Sequence, residues 1–142
     1  LFGFVADKTG GAILTTITGI GLAIGVLLLI SMGLVAPTGM EQFPMFVTVI
    51  LALFFFTGIG NAATFRQFPI IFGHNPRQAA GVIGWTAAIA AYGPFIFATI
   101  IGAVISATGT AKAFFVGLLV FILLATSINW HYYNRKGCEK PS

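Results

Sequence analysis

Four long stretches of this sequence contain no Asp, Glu, Lys or Arg: Thr9–Met40, Gln42–Phe65, Gln78–Thr110 and Ala113–Asn134. A helix needs about 20 mostly apolar residues to cross the hydrocarbon of a bilayer. Each stretch meets that length, and spans are expected at about 12–36, 43–72, 78–105 and 113–133. Strand-type alternation is absent and Ala, Leu and Gly dominate, so the expected class is an all-α membrane protein and not a barrel. Composition agrees. Of 142 residues, 58% are hydrophobic and 7% charged, against roughly 25% charged in soluble domains. The mean hydropathy is +1.01. A soluble enzyme, a disordered chain and a DNA-binding domain are all excluded on this ground. The net charge of +4 punctuates the apolar runs instead of covering one solvated face, so no nucleic-acid partner is expected.

The charges also orient the chain. Four spans place the connections on alternate sides. One side receives Lys8, Arg66, Arg77, Arg135, Lys136 and Lys140, and the other receives only Lys112. Such a bias marks the basic side as cytoplasmic. The expected location is the cytoplasmic (inner) membrane, multi-pass, with the C-terminus inside. Trp130, Tyr132 and Tyr133 close the fourth span as an interfacial aromatic belt. His74 and His131 fall on the basic side as loop or interface residues.

Small residues set how the spans can pack. Gly21 and Gly25 form a GxxxG pair in the first span, and Ala80, Gly84, Ala87, Ala88 and Ala91 form a stripe in the third. Both permit close helix contact. Gly93-Pro94 is expected to interrupt the third span, because Pro94 has no N–H for the Ala90 carbonyl. At about 1.5 Å per residue, Gly93 lies roughly 20 Å from Gln78, near the bilayer midplane. Broken helices at that depth are where transporters place substrate sites. In the second span Asn61 and Thr64 supply polar groups that should face protein or water. Phe54, Phe55 and Phe56 form an aromatic run suited to lipid or core packing. Arg66 follows Pro44 by roughly 33 Å of helix, which puts it at the interface as an anchor.

Catalytic machinery is missing. None of the three carboxylates lies within a charge-free stretch, and no Ser/His/Asp, Cys/His or metal-ligand set can be assembled. No cofactor is expected. Gly58-Ile59-Gly60-Asn61-Ala62-Ala63 matches a dinucleotide-binding pattern. It lies inside a membrane segment without a βαβ unit, so that reading is rejected. Cys138 is a lone thiol in the polar tail and forms no intrachain disulfide. Leu1–Ala6 reads as the end of a hydrophobic segment that begins earlier, so the chain is expected to be the C-terminal part of a longer protein.

Two features together resemble a known family. Gly3-Phe4-Val5-Ala6-Asp7-Lys8-Thr9-Gly10-Gly11 is similar to the cytoplasmic loop G-x-x-x-D-[RK]-x-G-[GRK] of the major facilitator superfamily, with Gly3, Asp7, Lys8, Gly10 and Gly11 at the motif positions. The loop occurs between helices 2 and 3 and again between helices 8 and 9 of that superfamily. Four spans follow it here, so they resemble helices 9 to 12. The runs Gly58–Phe72 (GIGNAATFRQFPIIF) and Ala80–Gly93 (AGVIGWTAAIAAYG) resemble the second half of a nitrate/nitrite porter. The latter occupies the place of that family's helix 11 nitrate signature.

The resemblance implies transport of nitrate and/or nitrite by alternating access, as anion exchange or with a proton. The anion would be held by two arginines outside this chain, one on helix 2 and one on helix 8. The residues that carry over to the substrate pathway are Gly84 and Gly93 of the signature, with Asn61 and Phe65 of helix 10. Pro94 stands where a second small residue is expected. The implied partners are the lipid bilayer and the N-terminal half of the transporter, without which a fragment is not expected to transport. Two other readings use the same residues: a major facilitator for another small solute, and a small helical membrane interaction protein.

Overall fold

A computed structural model describes residues 9–138. Gly3, Asp7 and Lys8 of the loop motif lie outside the described residues. The rest forms four long helices: α1 Gly11–Ser31, α2 Phe43–Ile71, α3 Pro76–Thr108 and α4 Lys112–Asn129, with a short 3-10 turn at Met40–Gln42 before α2. All four are long and apolar enough to cross a membrane, and no strand occurs among the described residues. The chain is therefore an all-helical, multi-pass membrane protein.

Each helix end has a local cause. The α1 helix stops at Ser31, short of the expected limit near residue 36, because Gly33 takes a left-handed φ of 68°. The Gly33 N–H then reaches the Ile30 carbonyl at 3.2 Å, and the Leu34 N–H reaches Leu29 at 3.0 Å. This paired closure is a Schellman motif. It folds Leu34 back beside Leu29, where both pack with Val49 of α2. The α2 helix carries Pro44 in its first turn, where a missing N–H costs nothing. At the start of α3, Asn75 Oδ1 accepts from the Gln78 N–H at 3.2 Å. The same helix closes on Gly109, at φ 76°. The α4 helix passes into a single π-turn at Trp130–Asn134, closed by the Arg135 N–H on the Trp130 carbonyl at 2.9 Å.

One expectation is corrected. The third span is not interrupted at Gly93-Pro94, since α3 is continuous from Pro76 to Thr108 with Pro94 inside it. Proline removes one hydrogen bond, and the turns on either side keep the helix together.

The bundle is built around α1. Ala12, Ala23, Val26 and Leu29 of that helix are all buried. Its glycines allow the approach. A Cβ on Gly21 would sit 2.6 Å from the Phe56 ring, and one on Gly25 would sit 2.6 Å from Leu53, both on α2. A Cβ on Gly19 would collide with the Thr126 side chain of α4. The GxxxG pair is thus a seat for two large side chains of α2. Of the aromatic run, Phe56 packs here while Phe54 and Phe55 point outward. Polar side chains tie the end nearest Arg77. Gln67 Nε2 donates to Thr15 Oγ1 at 2.7 Å. Asn129 Nδ2 donates to the Ala12 carbonyl at 3.0 Å and to Thr16 Oγ1 at 2.9 Å. The π-turn brings Asn134 Nδ2 to the same Thr16 oxygen at 3.2 Å.

By contrast α3 lies on the outside of this set, with Ala79 its one buried residue among those described. The stripe Ala80, Gly84, Ala87, Ala88 and Ala91 is exposed throughout. Among the described residues most of the stripe meets no helix.

Candidate functional site

Between the four helices lies an open-sided cleft of about 510 Å³. The α2 wall is a stripe at helical spacing, Thr57, Asn61 and Thr64, with Phe65 beside it. Positions i, i+4 and i+7 share one helix face, so this polar stripe follows from the sequence register alone. The α1 wall is Thr15, Thr18 and Gly19, and α4 contributes Thr126. From α3 come Thr86 and Ala90, one turn apart.

Close packing positions these groups. A Cβ on Gly60 would sit 2.6 Å from Thr18 Cγ2, so the bare backbone of α2 there lets the Thr18 side chain lie against it. Thr18 is only 3% exposed. Its Oγ1 has no hydrogen-bond partner among the described residues, while the residue itself borders the cleft. Thr57 and Thr126 behave differently. Their hydroxyls donate to the Leu53 and Ile122 carbonyls of their own helices, both at 2.7 Å. No cleft-lining residue carries a charge. The nearest charge along the chain is Arg66, directly after Phe65 on α2 and half-buried.

Of the residues expected on a substrate pathway, the structure brings Asn61 and Phe65 together in this cleft. Gly93 does not line it. It lies seven positions after Thr86, and so on the same face of α3, one turn beyond Ala90. Its nearest neighbour beyond its own backbone is the Phe97 ring, 3.9 Å from where a Cβ would stand. Gly84 stands about 200° around the helix from Thr86, and an added Cβ there would meet nothing within 4 Å. Gly10 and Gly11 of the loop motif have separate roles. Gly10 takes φ 91° ahead of α1. Gly11 lets α1 approach the Ala63 carbonyl, 3.0 Å from its would-be Cβ.

The threonines of α1, α3 and α4 are not among the residues the sequence singles out. Each is a single hydroxyl in an apolar run, and only the packing of four helices collects them. The signal available is the i, i+3 pair Thr15 and Thr18, which marks a polar strip on an otherwise apolar helix.

Comparison with known proteins places this arrangement. No family model matches the chain, and no solved structure matches it. Curated sequences do. The chain is 52% identical over 139 residues to a probable nitrate/nitrite antiporter, NarK2, of Thermus thermophilus, covering 98% of this chain and 30% of that protein. It is 29% identical over 154 residues to the nitrate/nitrite transporter NarU of Escherichia coli, covering 94% of this chain and 33% of NarU. NarU of Salmonella typhimurium gives the same identity and coverage. The chain spans about a third of the length of these relatives. Along essentially its whole length the chain is therefore similar to part of these nitrate/nitrite transport proteins.

Proposed function

We propose that this chain forms part of a transporter that moves nitrate and/or nitrite across the cytoplasmic membrane by alternating access. The observation that carries the reading is the 52% identity to a probable nitrate/nitrite antiporter across 98% of the chain. The four-helix bundle supports it, with α3 on the outside and carrying a Gly/Ala stripe of the kind used for close helix contact. In this reading the stripe, with Gly84, meets the N-terminal half of the transporter. Asn61, Phe65 and Gly93 stand along the pathway on α2 and α3. The end of the bundle holding Arg66, Arg77, Arg135 and Lys136 faces the cytoplasm. The anion moves in exchange for another anion or together with a proton. No catalysis is assigned, and no cofactor is called for.

The test is flux through the complete polypeptide reconstituted in vesicles. Vesicles loaded with nitrite should take up nitrate, and unlabelled nitrate should compete. A proton gradient that drives uptake into unloaded vesicles would assign proton coupling, and strict dependence on internal anion would assign exchange. A complete protein that carries neither anion refutes the reading.

A further inference from the structure

A second groove opens between α3 and α4, toward the turn at Gly109 that joins them. It encloses about 410 Å³, and no residue lining it is polar or charged. Phe97, Ile100 and Val104 share one face of α3, opposite Phe114, Gly117 and Phe121 of α4. Gly117 leaves the floor open, since a Cβ there would meet nothing within 4 Å. The rings at the inner end are bare, with Phe121 65% exposed and Phe97 46%. The groove is also short. From Ala113 to Phe121 it follows α4 for about 12 Å, and the hydrocarbon of one leaflet is about 15 Å deep. A helix crossing the bilayer would need a seat about twice as long. A fatty acyl chain entering from one face ends within it.

The mouth of the groove carries a charge. Lys112 is exposed and directly precedes Ala113 of the lining. Its side chain makes no hydrogen bond or ion pair with any described residue. A lysine stem lies on apolar surface while its ammonium reaches the interface. The first turn of α4 has no side-chain cap and no acidic residue, so its N–H groups also favour an anion. Glu41 is the other charged residue described at this end. Its carboxylate is turned onto its own loop, where a Cβ on Gly39 would stand 2.8 Å from both oxygens.

We propose that this groove holds an anionic phospholipid, with one acyl chain between α3 and α4 and the headgroup phosphate beside Lys112. Depth selects a lipid over a helix, and the Lys112 ammonium selects a headgroup of net negative charge. The acyl chain covers the Phe97 and Phe121 rings and fills the space that Gly117 leaves. It ties α3 to α4 where their side chains alone leave a gap. The assignment goes beyond the transport reading and does not rest on it.

The experiment uses the complete protein, purified in detergent and stripped of lipid. It is offered equal amounts of phosphatidylglycerol and phosphatidylethanolamine with the same acyl chains, and native mass spectrometry reads which it keeps. Wild type should keep phosphatidylglycerol in about fivefold excess, the effect of one basic residue at an anionic surface. Lys112→Ala should abolish that preference, and Lys112→Arg should restore it. Gly117→Leu places a side chain in the groove without a clash. It should keep the wild-type thermal midpoint in detergent and lose most of the retained lipid. Gly102→Leu, on the opposite face of α3 with the same open space, is the comparison and should retain lipid as wild type does. Wild-type retention in Gly117→Leu overturns the proposal, and so does an undiminished preference in Lys112→Ala. Equal loss of lipid in Gly102→Leu overturns it as a general packing effect. A fall in the thermal midpoint of lipid-free Gly117→Leu overturns it in favour of a helix of the same polypeptide. Conversion of a dimer to a monomer by Gly117→Leu on size exclusion overturns it in favour of a second copy.

Discussion

Gln67 Nε2 donates to Thr15 Oγ1 at 2.7 Å, joining α2 to α1 beside the cleft. Gln67 is buried, so its amide is out of reach of water. Interhelical hydrogen bonds in membranes contribute about 0.6 kcal/mol on average and up to about 1.7 kcal/mol. Gln67→Leu in the complete protein is expected to lower stability within that range, read as a fall in thermal midpoint in detergent. A double-mutant cycle with Thr15→Val isolates the pair. Purely additive effects would show that the contact carries no coupling.

The glycines of α1 separate by what faces them. A Cβ at Gly25 would lie 2.6 Å from Leu53, whereas one at Gly58 on α2 meets nothing within 4 Å. Inserting atoms into a packed contact costs about 1–3 kcal/mol. Gly25→Val should therefore destabilise the protein by that amount, while Gly58→Ala should be neutral or slightly stabilising. Fluorescence-detected size exclusion after a heating series would rank them. Equal losses would mean that α1 and α2 approach each other less closely at Gly25 than the 2.6 Å separation requires.

Two glycines of α3 should respond in opposite directions. Gly109 caps the helix at φ 76°, while Gly102 lies mid-helix with nothing within 4 Å of an added Cβ. A left-handed alanine costs about 1–2 kcal/mol, and glycine inside a helix is worse than alanine by about 0.5–1 kcal/mol. Gly109→Ala is expected to lower the melting midpoint and Gly102→Ala to raise it. The same sign for both would contradict the cap.

Much of this is legible in the sequence, for identifiable reasons. A charge-free run of membrane length with no strand-type alternation can satisfy its backbone hydrogen bonds in lipid only as a helix, so four helices follow from that pattern and the placement of a handful of charges. The polar stripe of α2 is legible as well, because Asn61 and Thr64 stand on one face. Two things are not. The cleft joins Thr18, Thr86 and Thr126, which are far apart in sequence and meet only through helix packing. The continuity of α3 through Pro94 depends on the hydrogen bonds of the turns above and below it, and a proline read by itself suggests a break. The Gly/Ala stripe of α3 is legible as a contact surface, but most of it finds no neighbour among the described helices.

Orientation gives a further prediction. Cys138 is the only cysteine in this sequence and follows the π-turn at the basic end of the bundle. A membrane-impermeant maleimide should label it in inside-out vesicles and not in intact cells, in a complete protein that keeps Cys138 as its one thiol. A Lys112→Cys variant of a Cys138→Ser protein should show the reverse, because Lys112 starts α4 at the other end. Labelling of Cys138 from outside would invert the topology and remove the charge argument.

Gly93 separates folding from transport. Among the described residues its would-be Cβ touches only the Phe97 ring, at 3.9 Å or beyond, so α3 has room for a larger side chain there. Gly93→Leu should therefore insert and purify as wild type does. Gly93 shares the α3 face of Thr86 and Ala90, one turn past the cleft, and it ends the run that resembles the nitrate signature. A bulky group on that face would obstruct any sliding contact with a helix from the other half and narrow the route past the cleft. The expected result is loss of nitrate uptake in the complete protein with expression and monodispersity unchanged. Loss of both together would place the cost in folding, contrary to the space seen around Gly93. Uptake at the wild-type rate would take Gly93 out of the transport mechanism.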